Sequence, residues 1–140
     1  MRHDQVVQWV DRYERAWREN DAGAVADLFT PEASYARSPY ERALLGQASI
    51  QDFWTTDAGA TFTMTAEPLA VDGVTAVVRV GVHYTAPESQ EYKNLWVLRF
   101  ADDGRVADFE EWPFWPGRPY SAGGGASDEA PVEPGPTPEI

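Results

Sequence analysis

The chain opens with hydrophobic residues at helical spacing. Val6, Val10, Tyr13 and Trp17 fall on one face of a helix, and charged side chains fill most of the other faces. Asp4 is the expected N-cap of this helix, since a short carboxylate can accept the unpaired backbone N–H groups of the first turn. The pattern therefore predicts a long amphipathic helix at the start of the chain.

Two shorter helices are expected after it. The first covers about 24–29 and ends before Pro31, because proline disfavours a helical conformation in the residue that precedes it. The residues from Ser34 to Arg37 alternate like a short strand, which ends at Pro39. Gly46 then precedes a third helix, whose apolar residues include Trp54.

The second half of the chain has a period of two. Four β-rich runs cover 61–71, 74–85, 91–100 and 105–112. Asp72-Gly73 and Asp103-Gly104 are hairpin turn signals, and 86–90 forms a longer turn. Helices followed by an antiparallel meander predict an α+β fold with the helices packed on one face of the sheet.

Composition and charge exclude several classes of function. The 140 residues include no cysteine and two histidines, and the net charge is −12. Disulfides and thiolate metal sites are thereby excluded, and we expect no metal and no cofactor. The acidic balance repels phosphate backbones and anionic lipid, so we expect neither nucleic acid nor membrane as a partner. No apolar run approaches membrane-spanning length, and we expect a cytoplasmic protein.

The chain divides into one domain over 1–118 and a tail over 119–140. The tail is acidic and rich in Pro and Gly, with almost no large apolar residue, so burial cannot offset the entropy of ordering it. We predict that the tail is disordered.

Aromatic residues are unusually frequent. Six Trp, six Tyr and six Phe make up 13% of the chain. An excess of large rings indicates either a lined pocket or a subunit interface, and the alternative is a core that happens to be aromatic.

Three local motifs resemble those of the nuclear transport factor 2-like superfamily, and specifically its SnoaL-like members. They are Leu28 to Tyr35 at the first strand, Gly46 to Trp54 in the third helix, and Asp103 to Trp112 at the last strand. The resemblance implies a curved antiparallel sheet that forms a cone around the N-terminal helix, with an apolar cavity inside. It also implies a homodimer through the outer sheet face. Members include ketosteroid isomerases, limonene epoxide hydrolases, polyketide cyclases and domains without known catalysis.

The residues argue against ketosteroid isomerisation. The resemblance places the isomerase base on Arg37, or on Ser38 with one gap, and the carboxylic-acid donor on Trp96. None of these side chains can replace a carboxyl group. Tyr13 matches the tyrosine that polarises the ketone, and Trp54 stands where an aromatic residue is usual.

The epoxide hydrolase pattern is also incomplete. Tyr35 and Arg37 stand where that family has the pair that positions water, and Glu111 matches its last-strand aspartate. The Arg-x-Asp motif of an inner strand is missing, since the available stretch runs from Arg79 to His83. Alternation places His83 on the outer face of the sheet.

One constellation remains as a catalytic hypothesis. Arg37 and Glu111 are expected to pair if both face the cavity, because an isolated buried charge costs several kcal/mol. Glu111 would then be a general base, while Arg37 and Tyr13 stabilise negative charge on the substrate. The alternative is a structural ion pair at the cavity mouth.

Eight side chains are predicted to line the ligand site: Trp17, Phe29, Tyr35, Trp54, Asn94, Trp96, Phe109 and Trp112. Their chemistry suits a small, mostly apolar molecule that carries an oxygen function. If the protein is an enzyme, it is expected to be a cofactor-free isomerase, cyclase or hydrolase. The alternatives are a non-catalytic ligand-binding domain and an interaction domain that dimerises through an outer face carrying Leu95 and Val97.

Overall fold

The structure is a computed structural model that describes residues 1–56, 61–86 and 89–117. The tail predicted over 119–140 lies outside these residues, as does part of the turn predicted at 86–90. In the part of the chain that is described, no helix is long and apolar enough to cross a membrane.

The described residues form three α-helices and six strands. The helices are α1 (His3–Arg18), α2 (Val25–Leu28) and α3 (Gln47–Thr56), and a short 3-10 turn over Ala22–Ala24 precedes α2. The strands are β1 (Phe29–Ala36), β2 (Leu44–Leu45), β3 (Thr61–Asp72), β4 (Thr75–Ala86), β5 (Gln90–Phe100) and β6 (Val106–Phe114). The α+β class is confirmed, and the four long strands lie within two residues of their predicted bounds.

The long helix begins at His3, two residues earlier than an N-cap at Asp4 requires. Arg2 is the N-cap, and its backbone N–H donates to Gln5 Oε1 at 2.7 Å. The Asp4 carboxylate lies in the first turn and pairs with the Arg2 side chain. The predicted cap was therefore wrong in position, although an acid in the first turn still complements the helix dipole.

The predicted apolar face of α1 is confirmed and is wider than predicted. Val6, Val10 and Tyr13 are buried as predicted. Trp9 is also buried, although it is not part of the predicted apolar stripe. The Trp9 indole N–H donates to the backbone oxygen of Leu28 at 3.0 Å. This hydrogen bond joins α1 to the end of α2 inside the core.

The first strand begins earlier than predicted, at Phe29 and not at Ser34. Phe29, predicted to end a helix, instead begins β1 and lies beside Val106 of β6. The Phe29 carbonyl accepts a hydrogen bond from Gln47 Nε2 at 2.9 Å, and its ring is fully buried. Pairing with a distant strand decides the conformation here, because tertiary contacts override weak local propensity.

The sheet is mixed rather than antiparallel throughout. Its strand order is β2-β1-β6-β5-β4-β3, and β1 runs parallel to β6 while every other pair is antiparallel. The meander from β3 to β6 is as predicted, with Gly73 and Gly104 at positive φ in the two hairpin turns. The parallel pair arises because the last strand of the meander docks beside the first strand of the chain.

The two faces of the sheet differ sharply in burial. The inner face, which packs against the helices, carries Val78, Val80, Trp96, Leu98 and Phe109, all buried. The outer face carries the exposed apolar residues Leu95, Trp112 and Phe114. His83 is also exposed there, which confirms its predicted side of the sheet.

Candidate active site on the inner sheet face

Two tyrosine hydroxyls meet where α1 crosses β1. Tyr13 and Tyr35 are both buried, and their hydroxyl oxygens lie 2.7 Å apart in a hydrogen bond. The ring of Phe109 on β6 stacks on Tyr35 with a centroid distance of 4.4 Å. Rings thus hold both phenols in place.

Tryptophan rings form the walls around these hydroxyls. Trp96 and Trp54 approach the Tyr13 ring edge-on, at centroid distances of 4.8 and 5.3 Å. Trp17 stacks parallel to Tyr13, and Phe29 packs edge-on against it from the core side. Seven of the residues predicted from the sequence, counting Tyr13, therefore lie in one aromatic cluster.

Glu111 is the buried acid of this region. It lies on the inner face of β6, directly opposite Trp96 of β5, and is 7% exposed. Burial raises the pKa of its carboxyl to about 8, although the Trp96 indole and the charge of Arg37 act in the opposite direction. At pH 7 the carboxyl is therefore mostly protonated and can donate a hydrogen bond.

The two phenols also remain protonated at neutral pH. Burial raises the pKa of Tyr13 and of Tyr35 well above the ordinary value, and the nearby Glu111 charge adds to this effect. One hydroxyl proton is used in the bond between the two tyrosines. The other remains available to a further acceptor, because each hydroxyl carries one proton.

Indole N–H groups add further donors. Trp54 Nε1 and Trp96 Nε1 are buried and form no hydrogen bond of normal geometry. They nevertheless face Tyr35 and Glu111, respectively, closely enough to oppose part of the rise in the pKa of each group. The region is therefore rich in donors, and it suits a ligand atom that accepts hydrogen bonds.

Arg37 does not form the expected pair with Glu111. Its guanidinium pairs with Glu41 instead, with Nε 2.8 Å from Oε1, and lies over the ring of Phe53. The arginine is partly exposed, so an ion pair with a neighbouring surface carboxylate avoids the cost of burying its charge. Its charge reaches Glu111 only as a long-range influence on the pKa of that carboxyl.

Asn94 lies on the inner face of β5, one inward position from Trp96. The side chain is 3% exposed, and neither its oxygen nor its nitrogen has a hydrogen-bond partner. Its cross-strand neighbours, Val80 and Pro113, have no side-chain polar group to offer. An unpaired buried amide costs about 1–3 kcal/mol for each unsatisfied group.

Trp112 does not lie with the other predicted ligand contacts. Trp112 lies opposite Leu95 on the outer face and is 42% exposed. Side chains alternate along β6, so Phe109 and Glu111 on the inner face require Trp112 to point outward. Trp115 lies on the inner side instead, where it packs against Tyr92.

A second aromatic cluster lies on the inner face where β3 and β5 begin and β4 ends. Its residues are not among the predicted ligand contacts. It contains Phe62, Tyr84 and Tyr92, with Trp115 packed against them. Tyr84 is in phase with Val80, and Tyr92 with Asn94, so strand alternation was the signal that could have found them.

A depression lies on the surface beside α1 and, unlike the aromatic cluster, is lined largely by charged side chains. It has a volume of about 610 Å³, and its lining includes Arg12, Arg15, Asp27, Asp103 and Arg105. Arg105 is neutralised there by Asp103. Charges of both signs in an open groove select no ligand class. Within the described ranges, no group of three potential metal ligands occurs.

The family model of the SnoaL-like domain matches residues 10–109. The chain belongs to the SnoaL-like family. The match begins within α1 and ends within β6, so it includes the aromatic cluster around Tyr13 but not Glu111. Among curated proteins, none matches this sequence.

Solved structures share the fold of this SnoaL-like chain at low sequence identity. An LEH-like epoxide hydrolase of M. tuberculosis has a TM-score of 0.66 and 13% identity, over 80% of this chain and 84% of the other. SalBIII, an epoxide hydrolase/cyclase-like enzyme with a role in pyran ring formation in the polyether salinomycin, has a TM-score of 0.64 and 18% identity, over 76% of this chain and 88% of the other. A putative ketosteroid isomerase from Kribbella flavida has a TM-score of 0.65 and 17% identity, over 94% and 93%.

The buried carboxyl predicts an unusual pH dependence of stability. Folded Glu111 holds its proton up to about pH 8, whereas the unfolded chain releases it near 4.5. The folded state thus binds more protons between these values, and stability falls as pH rises through this window, by about 1.4 kcal/mol per pH unit. We expect Glu111→Gln to flatten this decline and to exceed the wild type in stability at pH 8.

Urea denaturation at a series of pH values from 5 to 9 measures this effect. Glu110→Gln on the outer face of the same strand is the matched control and should follow the wild type. A wild-type stability that rises with pH over this window in step with the Glu111→Gln variant would contradict the assignment.

The unpaired amide predicts a stabilising substitution. Asn94→Leu removes two unsatisfied polar atoms and places an apolar side chain of similar size among apolar neighbours. We expect the melting temperature to rise by about 3–6 °C, corresponding to about 1 kcal/mol. A lower melting temperature, measured by calorimetry, would show that the amide is satisfied in the folded protein.

Proposed function

We propose that this SnoaL-like protein is a cofactor-independent enzyme that activates an oxygen atom of a small, mostly apolar substrate. The observation that carries the proposal is the donor-rich cluster on the inner face. The neutral carboxyl of Glu111, a free phenol proton of the Tyr13–Tyr35 pair and two indole N–H groups lie among aromatic rings. Such preorganised donors stabilise negative charge that develops on an acceptor oxygen.

Glu111 serves as general acid in this proposal. Its carboxyl holds the proton at pH 7, so donation rather than abstraction is the role its pKa favours at that pH. The tyrosine pair and the indoles would hold the oxygen as its charge grows. Trp54, Trp96 and Phe109 would provide the apolar walls that orient the substrate.

Opening of an epoxide fits a single acid better than isomerisation of a ketone. Glu111 gives its proton to the epoxide oxygen as the carbon–oxygen bond breaks. A water molecule or a hydroxyl of the substrate forms the new bond to carbon, and its proton returns to the Glu111 carboxylate. Enolisation would need a separate base, and Glu111 is the only buried ionisable carboxyl in the part of the chain that is described.

A non-catalytic ligand-binding domain is the second candidate. The same donors would then hold a carbonyl or ether oxygen without transferring a proton. The Arg37–Glu41 pair favours this candidate, because it leaves the cluster without the buried cation that the catalytic hypothesis expected. Turnover distinguishes the two candidates, since both predict binding of an oxygen-bearing apolar molecule.

The general-acid proposal predicts how turnover of a cyclic epoxide depends on Glu111. We expect cyclooctene oxide to be opened at a rate that falls above about pH 8, where the carboxyl ionises. Glu111→Gln should lower kcat by about 10²–10⁴, the usual contribution of a general acid, with little change in KM. Diol formation followed by gas chromatography measures both.

Glu110→Gln is the control for this experiment, since the residue precedes Glu111 on the opposite face of β6. Tyr35→Phe should lower kcat less than Glu111→Gln, because Tyr13 keeps a hydroxyl in the site. Unchanged turnover in Glu111→Gln, or a rate that rises through pH 8, would refute the acid. Binding of the epoxide without turnover would support the non-catalytic candidate.

We further propose that two copies of the chain associate through the outer sheet face. Leu95, Trp112 and Phe114 are each more than one-third exposed there, and Leu95 and Trp112 are cross-strand neighbours. Contiguous exposed apolar side chains on a sheet face are typical of an interface. Val97 lies on the same face and is partly exposed.

Light scattering after gel filtration tests the dimer. We expect twice the chain mass for the wild type and a single chain mass for Trp112→Lys, since a buried unpaired charge opposes association. Tyr40→Lys is the control, because Tyr40 is a fully exposed ring outside the sheet. A wild-type monomer at micromolar concentration would contradict the proposal.

A further inference from the structure

Asn94 lies at the boundary of the two aromatic clusters on the inner face. Along β5, Trp96 belongs to the cluster around Tyr13, and Tyr92 belongs to the cluster with Phe62 and Tyr84. Asn94 is the inward residue between them. It therefore places a polar group in a row of inward β5 residues that is otherwise aromatic and aliphatic.

The fold itself makes no use of this amide. Neither side-chain atom of Asn94 has a hydrogen-bond partner, and its neighbours across the sheet are Val80 and Pro113. An apolar residue would satisfy the packing at lower cost, because each unpaired buried polar group opposes folding. Such a group in a native structure calls for an explanation outside the fold.

The chemistry of the amide differs from that of the cluster around Glu111. The residues near Glu111 offer donors, whereas the Asn94 amide offers both an acceptor oxygen and two donor hydrogens. A hydroxyl group complements an amide, since it donates through its hydrogen and accepts through its oxygen. A carbonyl or an ether oxygen would leave the amide oxygen unpaired.

The position of this amide relative to the acid can be read from the register. Trp96 lies directly opposite Glu111, and Asn94 is two residues along the same face of β5. Asn94 and Glu111 are thus diagonal neighbours across the β5–β6 pair, and such neighbours lie about 7–8 Å apart. A ligand that reaches both groups therefore carries its two oxygen functions about that far apart.

We propose that Asn94 binds a hydroxyl group of the ligand, about 7–8 Å from the oxygen that Glu111 engages, so that the protein selects hydroxylated ligands over their deoxygenated counterparts. This inference rests on the proposed function for the position of the first oxygen. It adds a second polar anchor, which sets the orientation of the ligand along β5. Asn94 is accordingly a specificity residue and takes no part in proton transfer.

A matched pair of unreactive ketones tests the inference. Decalone has one oxygen, and hydroxydecalone carries a hydroxyl on the far ring at a comparable separation from the carbonyl. Titration calorimetry on the full chain should give about tenfold tighter binding of hydroxydecalone to the wild type, the effect of one net hydrogen bond. Asn94→Leu should bind the two ketones with equal affinity.

Controls separate the loss of a contact from a folding defect. Asn94→Ala should lose the same preference, and Lys93→Leu, on the exposed face of the same strand, should keep it. Equal affinity of the wild type for the two ketones, or a preference that persists in Asn94→Leu, would overturn the inference. Preference without epoxide turnover would refute the general acid alone, and turnover without preference would refute the role of Asn94 alone.

Discussion

A carboxyl group buried without a counter-charge is the constraint on which the site depends. Glu111 is buried opposite Trp96, and Arg37, the arginine whose charge acts on its pKa, is paired with Glu41. An ionised carboxylate in such surroundings would be strongly disfavoured, so the group keeps its proton to an unusually high pH. The same burial that lowers stability at alkaline pH thus creates an acid at neutral pH.

Aromatic packing makes this arrangement rigid. The Tyr13 ring contacts Trp54 of α3 and Trp96 of β5. The ring of Tyr35, which is hydrogen-bonded to Tyr13, stacks on Phe109 of β6. Rings fill space with few rotatable bonds, so the hydroxyl and indole donors are held in place before any ligand arrives. Preorganised donors are worth more than mobile ones, because no reorganisation is needed when charge develops.

Much of the site could be predicted from residue type and strand alternation. Tyr13, Tyr35, Trp54, Trp96 and Phe109 lie together as expected, because a helical stripe and inward strand positions must share one core. The errors have separate causes. The partner of Arg37 depended on a loop whose course local pattern does not specify, and Trp112 was placed without applying alternation from Phe109 and Glu111.

The hydrophobic pattern of the sequence determined the long helix, the third helix, the four-stranded meander and its two glycine turns, because each depends on residues close together in the chain. Tertiary structure alone decided that Phe29 joins a strand, that β1 and β6 run parallel, and which acid loses access to water. Those outcomes depend on groups far apart in sequence, as in the pairing of Phe29 with Val106. The pKa of Glu111 is the clearest case, since burial by distant rings, and not its own neighbours in the chain, changes its chemistry.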